Sequence, residues 1–192
     1  MKIQLPRALA VLTLVLLPSL LGAQEGTPNR VYLTAHCGGG GPRLDGILDD
    51  PCWDLVEWSG DFTQWQPSVG EPPSQQTQFK VLHDDENLYF GIRAFDEDPD
   101  AIVDRLARRD RFPGDWVEVN IDSYGDDRTA FSFTASVSGT RGDEFISDDG
   151  NNWDGSWDPV WEFESHVDEL GWTAEIRIPL TQLRYADGDD QR

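Results

Sequence analysis

The stretch DWVEVNIDSYGDDRTAFSFTASV, residues 115–137, decides the fold. Apolar and polar residues alternate on both sides of the turn YGDDR, residues 124–128, with the period of two expected of paired strands. Val117, Val119 and Ile121 share one side of the first strand. Phe131, Phe133, Ala135 and Val137 share one side of the second, and both sides read as core. Trp116, Glu118, Asn120 and Asp122 then point the other way, beside Ala130, Ser132, Thr134 and Ser136. A purely solvated face more often carries Lys and Glu. Flat apolar surface next to short hydrogen-bonding groups suits a sugar, whose C–H faces stack on rings and whose hydroxyls bond directionally. The pattern fits equally a face covered by a loop, with Trp116 a satellite core residue.

Outward from this ribbon the same period recurs. QFKVLHD, residues 78–84, and LYFGIRAFD, residues 88–96, flank a polar turn and form a predicted hairpin. His83 falls on the core-facing side with Phe79 and Val81. VWEFESHV, residues 160–167, and GWTAEIRIP, residues 171–179, form another, and a short strand is expected over 142–146. Asp50 and Pro51 read as an N-cap and first helical position of a short helix through Val56. Residues 66–76 read as a loop, and 101–111 as a mixed stretch with a helical turn. Residues 147–159 form a Trp- and Asp-rich loop in which Trp153 is expected to be exposed, Trp157 and Trp161 buried. Many short strands with frequent turn residues predict an all-β, antiparallel, immunoglobulin-like β-sandwich.

The chain has 192 residues, room for one domain, with 15 basic and 36 acidic residues and a net charge of −21. That balance excludes a nucleic-acid binder and disfavours docking on anionic lipid, since both need a basic face. Eight Trp, nine Phe and four Tyr supply a core and argue against disorder. Residues 1–23, MKIQLPRALAVLTLVLLPSLLGA, carry Lys2 and Arg7, then an apolar run, then small residues. They read as a secretory signal rather than a membrane anchor, because the run falls short of the ~20 residues of a span. Export to the periplasm, outer membrane or extracellular space follows. Residues 24–41, ending in four glycines, read as a flexible segment, and 42–192 as the sandwich. Export permits a Cys37–Cys52 disulfide, and two free thiols are the alternative.

Catalysis finds little support. No Ser-His-Asp or Cys/His spacing stands out, and with 36 acidic residues the carboxylate pairs a glycosidase needs arise by chance; Glu118 with Asp115 or Asp122 is the least poor guess. Haem is not expected, since the one Met is Met1 and His36, His83 and His166 read as ordinary histidines. Acidic residues cluster in three loops: Asp45, Asp49, Asp50; Asp96, Glu97, Asp98, Asp100; and Asp148, Asp149, Asp154, Asp158. Oxygen ligands in loops suit a structural Ca²⁺ with unassigned ligands. A salt-adapted surface explains the same acidity.

Four stretches, RLDGILDDPCW (43–53), VLHDDENLYFGIRAFDEDP (81–99), RRDRFPGDWVEVNIDSYGDDRTAFSF (108–133) and GWTAEIRIPLTQLRY (171–185), together resemble family 9 carbohydrate-binding modules. They are most similar to the version at the N-terminus of large exported bacterial proteins with a C-terminal outer-membrane barrel. The resemblance implies a β-sandwich that binds the ends of poly- or oligosaccharides without cleaving them, in a cell-envelope protein serving polysaccharide capture or breakdown. It implies stacking on an aromatic that precedes the strand opened by Asp115, which is Phe112 here, and hydrogen bonding by a carboxylate matching Glu118. With the outward face read above, the carbohydrate-binding candidates are Phe112, Asp115, Trp116, Glu118 and Asn120. The sequence departs from the family where a basic residue of some members is Ser132, and where Cys52 replaces a small residue. The family's second stacking aromatic would lie past Arg192, and the polar ending DGDDQR suggests a fragment of a longer protein. A structural or docking domain without sugar binding is the alternative reading.

Overall fold

The computed structural model describes residues 30–185; the signal reading of residues 1–23 and the ending DGDDQR lie outside the described residues. The chain divides into two units after Val31, and the architecture below is that of the second. Among the described residues nine strands form two sheets. One contains β1 (Ala35–His36), β2 (Thr77–His83), β3 (Asn87–Phe95), β9 (Gly171–Pro179) and β8 (Glu162–Asp168), in that order. The other contains β4 (Trp116–Ile121), β5 (Ala130–Ser136), β6 (Arg141–Ser147) and β7 (Asn152–Asp154). All neighbours are antiparallel except β1 and β2, which are parallel.

The alternation of the sequence is realised between the sheets. Phe131, Phe133 and Ala135 from β5 meet Ile92 of β3 and Ile176 and Ile178 of β9, with Trp161 fully buried among them. Val117, Val119 and Ile121 pack against this core as expected. Trp161 Nε1–H donates to Asp143 at 3.0 Å, and Arg109 pairs with the same carboxylate at 2.6 Å, so the buried charge of β6 is compensated from two sides. Trp157 is half-buried rather than buried, because it covers the rim of the core against Phe131 and Phe133. Trp153 is 46% exposed, as expected.

Three expectations are corrected. The flexible segment through residue 41 is ordered from Tyr32: Cys37 is buried and bonded to Cys52, and β1 pairs with β2. The loop over 147–159 contains β7. The helical turn expected in 101–111 falls earlier, at Pro99–Ala101. The turn opened by Asp50 and Pro51 forms, as a 3-10 helix over Pro51–Leu55.

This ordered N-terminal segment makes a third layer on the far side of the five-stranded sheet. Cys37, Trp53, Val56, Leu82 and Tyr89 form a second core there. Gly91 of β3 allows it, since a Cβ would lie 2.8 Å from Leu48 and 3.1 Å from the Trp53 ring. Glu175 of β9 is fully buried beneath this layer. Its Oε1 accepts from Trp53 Nε1–H at 2.9 Å, and its Oε2 accepts from the amides of Asp45 and Gly46, each at 2.9 Å. Burial nonetheless pushes its carboxyl above the usual range.

β4 is an edge strand of its sheet. A cleft of about 510 Å³ opens between it and the hairpin β2–β3, lined by Phe79, Phe90, Ile92, Val117 and Val119 together with Glu118 and Asn120.

Candidate functional site

The outward side of the four-stranded sheet is fixed by strand register. Glu118 stands opposite Thr134, which stands opposite Gly142; Asn120 stands opposite Ser132, which stands opposite Glu144. Trp116 faces Ser136 at one end, and Ile146 faces Trp153 at the other. No Lys or Arg occupies an outward position of these strands.

A connection crosses one end of this face. Ala107 and Thr140 exchange hydrogen bonds, and the Asp110 amide donates to the Arg141 carbonyl at 3.1 Å, fastening the connection beside β6. Phe112 then lies over Gly142, where a Cβ would come within 2.5 Å of its ring. Only glycine fits there, because the ring occupies the side-chain position. The chain reaches β4 through Asp115, one of whose carboxylate oxygens accepts from the Val103 amide at 2.8 Å.

The face is therefore open on its β4 side and covered at its centre. Trp116 is 48% exposed and Asn120 is exposed, with Glu118 and Phe112 half-buried. Ser132, Thr134 and Ser136 face outward as read from the sequence but are buried, contrary to an open hydroxyl surface. They lie on a central strand beneath longer side chains from both neighbours. The Phe112 and Trp116 rings stand 6.1 Å apart at 47°, forming an angled aromatic corner. Beside it, Glu118 Oε1 accepts from Asn120 Nδ2 at 2.7 Å, and its Oε2 from Thr134 Oγ1 at 3.3 Å.

Phe112, Trp116, Glu118 and Asn120 are thus brought together. Asp115 sits at the end of the group, with its carboxylate engaged by backbone. Glu144, Asp110 and Gly142 belong to the same face and were missed by the sequence reading. A glycine inside the short strand pattern at 142 was the available signal of close approach.

Glu144 is half-buried, and its side chain makes no hydrogen bond or ion pair among the described residues. Its carboxyl is pushed above the usual range by burial, and then by the charges of Glu118, Asp110 and Asp143. The three acidic loops do not converge. Among the described residues no group of three His, Cys, Asp or Glu side chains is arranged to hold a metal ion. Many of these acids instead cap turns: Asp45 accepts from the Ile47 amide, Asp96 from Asp98 and Asp154 from Ser156.

The model of the family described as carbohydrate family 9 binding domain-like matches residues 44–191. Among solved structures, a family 9 carbohydrate-binding module from Caldicellulosiruptor kristjanssonii in complex with glucose is 18% identical, with a TM-score of 0.54, covering 78% of this chain and 70% of that one. A module of the same family and organism in complex with cellotriose is 19% identical, with a TM-score of 0.51, covering 77% and 67%. A carbohydrate-binding protein from Bacteroides uniformis, named as such on a provisional basis, is 16% identical, with a TM-score of 0.54, covering 79% and 72%. No curated protein matches the chain.

Proposed function

Because the chain belongs to the carbohydrate family 9 binding domain-like family, we propose that it is a non-catalytic module that holds the end of an oligo- or polysaccharide on the outward side of β4–β6. The observation that carries this reading is the half-exposed Trp116 ring, angled against Phe112 and sharing its strand face with Glu118 and Asn120. A pyranose laid on Trp116 buries a C–H face, and its hydroxyls reach a carboxylate and an amide already held in place by each other. Asp115 contributes through the backbone it anchors. The glucose and cellotriose complexes of the structural neighbours support short glucans as the first ligands to try.

Export, inferred from residues 1–23, and membership of a larger cell-envelope protein with a barrel partner are part of this proposal. Calorimetric titration with glucose and cellotriose tests its core. Binding that falls about ten-fold or more in Trp116→Ala and Glu118→Ala, at unchanged stability, supports it. Absence of binding by the folded protein to any saccharide on a glycan array overturns it. One observation favours a docking domain instead: the apolar cleft beneath the free edge of β4 suits a protein strand better than a sugar.

A further inference from the structure

Beside the aromatic corner, the outward face holds a concentration of negative charge, and Arg109, the cation that acts on Asp110 there, is itself paired with Asp143 and Asp158. Glu118 from β4, Glu144 from β6 and Asp110 from the crossing connection surround the middle of β5 closely enough to raise the Glu144 carboxyl together with burial. Asp143, the third acid acting on Glu144, faces the core and is neutralised there by Arg109. Glu118 has Asn120 and Thr134 as partners, whereas Glu144 has none among the described residues. Between Asn120 and Glu144 in register lies Ser132, 1% exposed, whose Oγ has no hydrogen-bond partner among the described residues. A buried hydroxyl without a partner costs free energy, as does a partly buried carboxylate among like charges.

A cation with hydrogen-bonding capacity would relieve both. No three acidic side chains here are arranged to hold a metal ion. An ammonium needs no such cage: it donates three directional bonds to carboxylate and hydroxyl oxygens and is attracted to ring faces such as Phe112, which lies over Gly142. Resting on the saccharide reading above, we propose that the face selects a glycan end bearing a free, protonated amine, as in a glucosamine oligomer, with Glu144, Glu118 and Ser132 forming the ammonium subsite beside the aromatic corner.

The test is calorimetric titration of the full chain with three trisaccharides of equal length: the glucosamine trimer, cellotriose and the N-acetylglucosamine trimer. In mildly acidic buffer the glucosamine trimer is expected to bind about ten-fold more tightly than the other two. That preference should vanish in alkaline buffer, where the amine is neutral. Glu144→Gln should bring the ratio of affinities close to one, while Asp54→Asn, exposed on the third layer across the opposite sheet, should leave it intact. Equal or tighter binding of cellotriose overturns the amine inference and leaves the saccharide reading standing. Failure of all three trisaccharides to bind also overturns the amine inference, and the saccharide reading falls with it only if the glycan array is blank as well. Trilysine binding as tightly as the glucosamine trimer, with the same dependence on Glu144, overturns the assignment to a sugar.

Discussion

Trp53 and Glu175, separated by 122 residues, meet through a 2.9 Å hydrogen bond from indole Nε1–H to carboxylate in the second core. Lys80 Nζ, on β2 two strands from Glu175, donates to the Trp53 carbonyl at 2.6 Å. The N-terminal layer is thus fixed to the sheet by buried polar groups that satisfy one another, in addition to its apolar packing.

Trp53→Phe keeps most of the packing but removes the indole donor from a buried carboxylate. A loss of ~1.5–3 kcal/mol is expected, the range of a hydrogen bond to a charged group. Urea denaturation at neutral pH measures it. A loss below ~0.5 kcal/mol, typical of surface substitutions, would contradict the buried bond.

The Cys37–Cys52 disulfide closes a short loop within the same layer, the two residues lying 15 apart. Reduction should cost ~3 kcal/mol in the chain-entropy treatment. Denaturation with and without reductant, alongside titration of free thiols, gives the comparison. Saccharide affinity should be unchanged while the protein stays folded, because the bridge lies across the opposite sheet from the candidate face.

Gly142→Ala places a methyl group where the Phe112 ring lies. Overpacking of this kind costs ~1–3 kcal/mol, and the ring must move to admit it. Saccharide binding should weaken by about ten-fold through the displaced corner, with a change in Trp116 fluorescence. Unaltered binding in a folded variant would remove Phe112 from the site.

Two carboxylates act oppositely on stability against pH. For Asp168, burial alone would raise the carboxyl, but hydrogen bonds from Arg93 and the Leu170 amide outweigh it and hold the group below the usual range. Its contribution is present above the unfolded value of ~4 and is lost as pH falls through the folded value. Glu175 is raised, so its contribution is present below ~4 and is lost as pH rises through its folded value. Asp168→Asn should therefore flatten the acid side of a stability profile, read as melting temperature against pH.

Much of the sandwich was legible because its inner faces alternate. Val117, Phe131 and Ile176 each follow a period of two that only paired strands produce. The third layer was not legible. Glu175 sits among Thr173 and Arg177 and reads as a solvated position, yet Trp53 and the Asp45 and Gly46 amides cover it from far away in sequence. Cys37 follows a polar segment and precedes four glycines, so local composition signalled flexibility while the disulfide and the pairing with His83 imposed order. Trp116, Glu118 and Asn120 were found by the same alternation that gave the core. Glu144 and Asp110 were not, since their meeting depends on how residues 107–115 cross the sheet. The burial of Ser132 likewise arises from neighbouring strands.

The free edge of β4 gives one strand two audiences. Its side chains address a guest, while its outer amides and carbonyls, on which no strand of the described residues pairs, offer a template to any passing ribbon. Occupancy by a ligand that pins Trp116, Glu118 and Asn120 would quiet the strand, and crowding without one would invite self-association. Shelf life in concentrated solution should accordingly track how full the site is kept.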